Sequence, residues 1–320
     1  MTEKTSGRLR RGILLCASLC LAAAGAGAGD NTTYSFLRAD VGARAAALAG
    51  SFVSITDDPT ALFYNPAALA TMDAHRGSAG FFKHLLDINS GHLVYTREFE
   101  DLGHFGAGVL YTNYGSFTET DENGNERGNF SAGDVALALG YGNTIRENLY
   151  WGGTVKFIYS SIAGYSSTAI AADAGILFLI PESRAALGLS VRNAGTQLSS
   201  YLSSSEPLPL DVTLGGSIVP KGLPLLLNLA FHRLNDDNGQ FFDRFRSFTI
   251  GGEFTISRVL QLRIGFDNAV RKDLKVGTSA GLAGFSAGLG ITTGDYRIDY
   301  AISLLGNIGS LHRISLATTL

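Results

Sequence analysis

The chain has 320 residues, of which 45% are hydrophobic and 17% are charged, and its formal net charge is -3. This charge balance provides no broad basic surface, which excludes nucleic acid as a partner. The 40 glycines argue against a helical bundle, because glycine destabilises helix interiors.

The N-terminus has the pattern of an export signal. Three arginines near the start precede an apolar run at 13–24, and small residues follow. We expect cleavage after Ala26 or Ala28 and assign residues 1–28 to a signal peptide. Both cysteines, Cys16 and Cys20, lie inside the apolar run, so the mature chain has none. Disulfides and thiolate metal sites are thereby excluded, and we expect no cofactor and no metal.

Residues 29–76 differ in character from the rest of the chain and predict a small helical plug. The Ala-rich stretch from Gly42 to Gly50 suits a short helix. Asp58-Pro59 provides an N-cap followed by proline at the first helical position, and Asn65-Pro66 repeats the arrangement before a turn that reaches Met72. A compact segment of this kind, placed before the first strand, can fold into the mouth of a barrel.

Residues 77–320 alternate apolar with polar or small residues at a period of two, which indicates strands with two different faces. The face opposite the apolar one is mostly Gly, Ala and Ser with isolated charges of both signs, as in a barrel lumen. These predicted lumen-facing charges are Lys156, Asp173, Arg192, Asp211, Glu253, Arg263, Asp267, Arg297, Asp299 and Arg313. No later stretch has the roughly 20 apolar residues that a spanning helix needs, so a membrane form must be a barrel.

Fourteen strands can be placed, an even number as in bacterial outer-membrane barrels. The predicted fold is all-β: a 14-stranded antiparallel transmembrane β-barrel with the helical plug in its lumen. Short connections alternate with longer polar ones at 115–130, 194–209, 235–244 and 270–278, which places the short turns and the C-terminus in the periplasm. The predicted strands are 77–84, 90–99, 104–114, 131–142, 149–161, 167–179, 185–193, 210–219, 224–234, 245–256, 260–269, 279–291, 295–305 and 311–320. A soluble all-β fold is the alternative.

An ordered series in the plug resembles the start of PorV/PorQ-family outer-membrane proteins and the hatch of the FadL-like transport superfamily. The series is Gly42-Ala43-Arg44, Gly50, Asp57-Asp58 and Asn65-Pro66-Ala67-Ala68-Leu69. Arg297-Ile298-Asp299-Tyr300-Ala301 and His312-Arg313-Ile314-Ser315-Leu316 resemble the PorV/PorQ ending. One departure is Leu320, where many such barrels end in an aromatic residue.

The resemblance implies an outer-membrane barrel, embedded in outer-membrane lipid, for passive uptake of hydrophobic, fatty-acid-like small molecules. It implies that Asn65, Pro66 and Ala67 form the hatch element that must shift, with Arg44 and Asp57 or Asp58 as a polar latch. The alternative for these residues is that they only cap helices and fix a turn. PorV-like members suggest a second function, a docking barrel whose partners are secretion-system components or exported cargo.

Three further motifs do not indicate a catalytic or metal site. Gly284-Phe285-Ser286-Ala287-Gly288 matches a hydrolase nucleophile pattern but lies within a strand, where the motif needs a strand-turn-helix elbow. The run of oxygen-bearing residues at 121–126 lacks the glycine at the sixth position and the distant bidentate glutamate of a calcium loop, so a solvated loop is expected. The histidines have no metal-ligand spacing, and His84, His92 and His104 are expected near strand ends. The chain is therefore predicted not to be an enzyme.

Overall fold

The computed structural model describes residues 33–72, 74–202, 204–236, 241–275 and 280–320. The predicted signal peptide at 1–28 and the first residues of the predicted plug lie outside this part of the chain. Among the described residues, no helix has the length and apolar character needed to cross a membrane.

Fourteen antiparallel strands form one closed barrel, which confirms the predicted architecture. Each strand pairs with its sequence neighbours, and β1 closes the barrel on β14 in a register that runs from Arg76 opposite Thr319 to Lys83 opposite His312. The strands are β1 (Arg76–Lys83), β2 (Asn89–Phe99), β3 (Gly103–Thr120), β4 (Glu126–Arg146), β5 (Leu149–Ile162), β6 (Tyr165–Ile180), β7 (Ala185–Ser199), β8 (Asp211–Ile218), β9 (Leu225–Phe231), β10 (Phe248–Thr255), β11 (Leu260–Asp267), β12 (Phe285–Thr293), β13 (Tyr296–Leu304) and β14 (Ser310–Thr319).

The outer surface of the barrel is apolar and the inner surface is polar or small. On β11, Leu262 and Ile264 are 43% and 59% exposed, whereas Arg263 between them is 2% exposed. The same alternation recurs around the wall, with large aliphatic and aromatic side chains outside. A continuous apolar exterior of this extent is unfavourable in water. It is typical of the surface that a membrane barrel presents to lipid.

The segment at 33–72, called the hatch below, lies inside the barrel. It contains three 3₁₀ helices, η1 (Ser35–Arg38), η2 (Pro59–Phe63) and η3 (Pro66–Thr71), and one short α-helix, α1 (Ala43–Ala47). The predicted caps are confirmed, because the Asp58 side chain accepts from the Thr60 amide and the Asn65 side chain accepts from the Ala67 amide. Helix η3 packs against β4, β5 and β6, whereas α1 packs against β11 to β14.

The hairpin of β3 and β4 is longer than the sequence pattern indicates. The predicted loop at 115–130 is wrong, because pairing resumes at Ser116 opposite Ser131 after a register shift and continues to Thr120 opposite Glu126. Phe117 and Phe130 stack with ring centroids 5.3 Å apart in this extension. Residues on both of its faces are largely exposed, so the hairpin projects beyond the wall.

A short helix interrupts the predicted strands after β11. The prediction of strand to residue 269 and again from 279 is wrong, because α2 (Asn268–Asp273) begins at once after Asp267 and β12 starts only at Phe285. The Asp267 carboxylate accepts from the amides of Ala269 and Val270, which caps the helix. Further 3₁₀ turns are η4 (Pro181–Ser183), η5 (Phe241–Arg246) and η6 (Gly306–Ile308).

The two ends of the barrel differ. The turns between β2 and β3, β4 and β5, β10 and β11, and β12 and β13 are short, and the end that carries them is called the short-turn end below. At the opposite end, long connections precede β8, β10 and β12. Both Arg76, where β1 begins, and Thr319, where β14 ends, lie at the short-turn end.

Candidate functional site: the hatch and its seat

The hatch backbone packs directly against glycines of the barrel wall. A Cβ added to Gly152 would lie 2.4 Å from the Pro66 carbonyl oxygen, and one added to Gly188 would lie 2.2 Å from the Val53 carbonyl oxygen. Such separations are far below van der Waals contact, so no larger residue fits at either position. Equally close hatch contacts, below 3.0 Å, occur at Gly108, Gly140, Gly142, Gly175, Gly215, Gly251, Gly265 and Gly288. The wall therefore contains a seat of glycines shaped to the hatch, which the alternation of apolar and small residues did not predict.

Asn65 fastens the hatch to the wall as well as capping η3. It is fully buried, and its side-chain nitrogen donates to the Val53 carbonyl at 2.7 Å and to the Ile176 carbonyl of β6 at 3.1 Å. Its side-chain oxygen accepts from the Ala67 amide at 3.1 Å. Pro66 and Ala67 then lie against Gly152. Asn65, Pro66 and Ala67, which were predicted to form the moving element of the hatch, therefore contact β5 and β6.

On the other side, charged side chains link the hatch to β10, β11 and β13 in a closed ring. Arg44 donates to both Glu253 carboxylate oxygens at 2.8 Å and approaches Asp58 at 3.6 Å. Arg263 bridges Glu253 and Asp299, each at 2.6 Å. Arg297 completes the circuit by pairing with Asp299 at 2.8 Å and with Asp58. The ionic ring is Asp58, Arg44, Glu253, Arg263, Asp299 and Arg297, in which each charge has neighbours of opposite sign.

Asp57 and Asp58 play different parts in this arrangement. Asp57 pairs with Arg44 at 2.7 Å but leaves about half of its side chain, 55%, exposed. Asp58 is buried, and burial alone would raise its pKa, but the Arg297 and Arg44 guanidiniums and the hydrogen bonds from Thr60 outweigh burial and leave the pKa at about 2. Asp58 therefore remains a carboxylate near neutral pH.

The ionic ring borders a polar vestibule at the short-turn end. The vestibule has a volume of about 400 Å³ and is lined by ring residues together with Thr255, Gln261 and Thr318. The ring thus lies between the body of the hatch and the opening at this end.

Four of the remaining predicted lumen charges form a second group on β5 to β8. Lys156 pairs with Asp173 at 2.6 Å, and Arg192 pairs with Asp211. Arg192 also donates to the Phe63 carbonyl of the hatch at 3.3 Å. Asn193, with a φ of +58°, forms a bulge with Arg192 that lets both side chains face inward. The Asn193 side chain accepts from Lys156 at 2.8 Å, and no pattern in the sequence predicts this contact.

Arg313 and Asp267 do not join either group. Arg313 is buried, lies over the Phe82 ring at 5.5 Å and donates to the Ser303 hydroxyl at 3.1 Å. Asp267, which was predicted to face the lumen, lies on the same side of β11 as the buried Arg263 and Gly265, and its carboxylate caps α2. It joins neither group of ion pairs, because its carboxylate accepts from the backbone amides of Ala269 and Val270.

Apolar contacts hold the hatch where it faces β1 to β6. Leu62 and Leu69 of the hatch lie in one buried cluster with Leu110 of β3 and Ile158 of β5. Tyr34 and Phe36, near the start of the hatch, belong to the same cluster. The hatch is therefore held by ion pairs on one side and by hydrophobic packing on the other.

The histidines and the serine motif occupy structural positions. His92 was expected near a strand end, but it is buried within β2, where its Nε2 lies 3.0 Å from the Ser78 hydroxyl. His104 lies at the start of β3. Ser286 donates to the Ser303 hydroxyl at 3.1 Å from within β12. Its backbone is a regular strand, without the turn that a nucleophile elbow needs.

No family model matches the chain, and no curated protein matches it. Solved structures do match. The Ralstonia pickettii toluene transporter TbuX superposes with a TM-score of 0.61 at 13% identity, covering 88% of this chain and 98% of that one. The P. putida toluene transporter TodX gives 0.60 at 16% identity, with the same coverage of both chains. A Pseudomonas aeruginosa FadL homologue gives 0.57 at 11% identity, covering 92% of this chain and 100% of that one. At these identities the likeness shows a shared fold.

Proposed function

We propose that the mature chain is a bacterial outer-membrane barrel through which hydrophobic small molecules enter passively, with the hatch as the gate. Its fold is that of proteins described as toluene transporters and of a FadL homologue. The observation that carries the proposal is the hatch itself, a separate segment that fills the lumen and is held by contacts of two different kinds. A barrel closed in this way conducts only when the segment moves.

The two kinds of contact suggest where opening begins. An apolar molecule can replace the contacts of Leu62 and Leu69 with the wall, because hydrophobic packing is non-directional. It cannot replace the charges that face Arg44 and Asp58, since a buried charge without a partner is costly. Opening therefore starts on the side facing β1 to β6, and the ionic ring is the latch that keeps the hatch from leaving the barrel.

The substrate class follows from the same cluster. Its side chains offer aliphatic and aromatic surface, which suits fatty-acid-like chains and monoaromatic hydrocarbons and disfavours sugars. In this proposal the molecule enters from the end with long connections and leaves toward the periplasm at the short-turn end. Asn65, Pro66 and Ala67 shift away from Gly152 as it passes.

Uptake assays test the proposal directly. Cells that lack their own fatty-acid uptake barrel should accumulate labelled long-chain fatty acid or toluene faster when they express the full chain. Uptake of a labelled sugar should stay unchanged. A folded barrel in the outer membrane that accelerates neither apolar compound would contradict the proposal.

The projecting β3–β4 hairpin favours one alternative, a PorV-like docking barrel for secreted cargo. Its exposed tip carries Glu119, Glu122 and Glu126 beyond the wall, where another protein could contact them. Deleting 117–129 should then abolish export of the cargo while apolar uptake stays normal. Unchanged export in that variant would argue against docking through the hairpin.

A further inference from the structure

A groove runs along the outer wall near the short-turn end, on β2 to β5. One outward-facing row across these strands consists of Arg97, Phe105, Tyr141 and Gly153. The adjacent row, further from the turns, includes Tyr95, Ala107 and Leu139. Because Ala107 and Gly153 are much smaller than their neighbours, the two rows leave a depression of about 610 Å³.

Aromatic rings fix the rim of this groove. Phe99 and Phe105 meet at 5.5 Å, Phe105 and Tyr141 at 5.1 Å, and Tyr141 and Trp151 at 5.7 Å between ring centroids. The Tyr141 hydroxyl donates to the Leu102 carbonyl in the adjacent turn at 2.8 Å. Aromatic residues concentrate at the level of lipid headgroups, so this rim marks the membrane interface at the short-turn end.

Arg97 places a cation on this lipid-facing surface. Its guanidinium lies over the Phe99 ring at 4.8 Å, and among the described residues no carboxylate lies within ion-pairing distance of it. In the turn beyond it, Glu100 and Asp101 are exposed. Along the outer wall toward the short turns, the apolar groove therefore comes first, the Arg97 cation follows, and the carboxylates of Glu100 and Asp101 come last.

We propose that this groove binds a glycerophospholipid whose headgroup carries a phosphate followed by a primary ammonium group that can donate hydrogen bonds to carboxylates, that is, phosphatidylethanolamine. One acyl chain lies over Ala107 between the aromatic walls. The phosphate accepts hydrogen bonds from Arg97, and the ammonium group lies near Glu100 and Asp101, so both headgroup charges face protein charges of opposite sign. Lipid binding at the groove requires the barrel to span a membrane, but it does not depend on uptake through the lumen. The lipid proposal and the uptake proposal can therefore fail independently.

The single tryptophan of the chain, Trp151, allows a direct measurement because its ring contacts Tyr141 at the groove. The full mature chain is reconstituted in phosphatidylcholine vesicles, and brominated lipids are added as quenchers of its fluorescence. Brominated phosphatidylethanolamine should bind about fivefold more tightly than brominated phosphatidylglycerol, the difference expected for one favourable headgroup contact.

Matched variants locate the effect. Arg97→Gln and Ala107→Phe should each reduce phosphatidylethanolamine binding about fivefold or more. Arg258→Gln, an exposed arginine in the β10–β11 turn, and Ala287→Phe, an exposed outward alanine on β12, should leave binding unchanged. Heat-dependent gel migration confirms that each variant is folded.

Three results would overturn the proposal. The first is equal quenching by the two phospholipids, or a preference for phosphatidylglycerol. The second is an Arg97→Gln protein that behaves like Arg258→Gln. The third is equally strong quenching by brominated diacylglycerol with the same acyl chains, because the groove would then take hydrocarbon without a phosphate.

Discussion

Arg44 has more charged partners than any other charge of the hatch. Its guanidinium donates to Glu253 and Asp57 and lies 3.6 Å from Asp58. The planar fork of arginine suits this arrangement, since two parallel bonds reach one carboxylate while the third nitrogen serves another. Without Arg44, the hatch would retain only the pair between Asp58 and Arg297 in the ionic ring.

Arg44→Gln should loosen the hatch by about 1.5 to 3 kcal/mol, because Glu253 and Asp58 lose a charge-assisted partner and each keeps only one cation, Arg263 and Arg297 respectively. The expected results are brief openings in planar-bilayer recordings and faster protease cleavage within 33–72. Arg127→Gln is the control, since Arg127 is 67% exposed in its pair with Asp121 and such pairs contribute about 0 to 1 kcal/mol. Equal behaviour of the two variants would contradict the role of Arg44.

Acid should weaken the same latch through Asp58. Because its pKa in the folded chain is about 2 against an ordinary value of 3.8, its contribution of about 2 kcal/mol is complete above pH 4. It is lost as the pH falls from about 4 through 2. Protease protection of the hatch should therefore be constant from pH 5 to 8 and decline below pH 4. In Asp58→Asn this part of the pH dependence should be absent.

The members of the ionic ring were predictable from sequence, but their pairing was not. Alternation assigns Glu253, Arg263, Asp299 and Arg297 to the lumen, and the plug series singles out Arg44 and Asp58. Which of them meet depends on how far each strand is shifted relative to its neighbours. That shift brings Arg44 to Glu253, 209 positions later in the chain, and no local pattern encodes it.

At the level of elements, the seat of glycines explains why the lumen-facing side of many strands carries no side chain. Each hatch turn contacts wall backbone instead, as Pro66 does at Gly152. The sequence contained a usable signal, since glycines recur at inward positions of successive strands. These glycines did not by themselves predict a seat for the hatch, because small inward residues are equally expected in an open pore.

Gly152→Ala tests the seat. The added methyl would lie 2.4 Å from the Pro66 carbonyl, so the hatch must move, at an expected cost of about 1 to 3 kcal/mol. Gly153→Ala is its matched control, because that Cβ points outward and meets only the Asp173 carbonyl oxygen at 3.5 Å. Protease sensitivity of the hatch should rise in the first variant alone. Equal sensitivity in both would mean that the seat does not hold the hatch.

Strand boundaries were predictable where one face is apolar and unpredictable elsewhere. Wall strands such as β11 alternate cleanly, because lipid and lumen require different residues. The extension of β3 and β4 beyond Asn113 is exposed on both faces, so its sequence resembles a polar loop. Helix α2 was not predicted, because Asp267 both ends a strand pattern and acts as the N-cap of the helix.

At the scale of the whole molecule, the barrel and the hatch have separate sources of stability. The wall is held by a continuous ladder of backbone hydrogen bonds from β1 to β14, and the hatch contributes no strand to it. The hatch depends on the ionic ring, the Asn65 bonds and apolar packing. One part can therefore change position while the other remains intact.

Deletion of residues 33–72 from the exported chain is the strongest test of this separation. Because the ladder closes without the hatch, the variant should still insert and show heat-dependent gel migration. Its lumen would hydrate around the charges on β10, β11 and β13, giving a permanent conductance in bilayers. The brief openings of Arg44→Gln should approach that conductance level, since both expose the same lumen. A deletion variant that inserts but does not conduct would show that something other than the hatch closes the barrel.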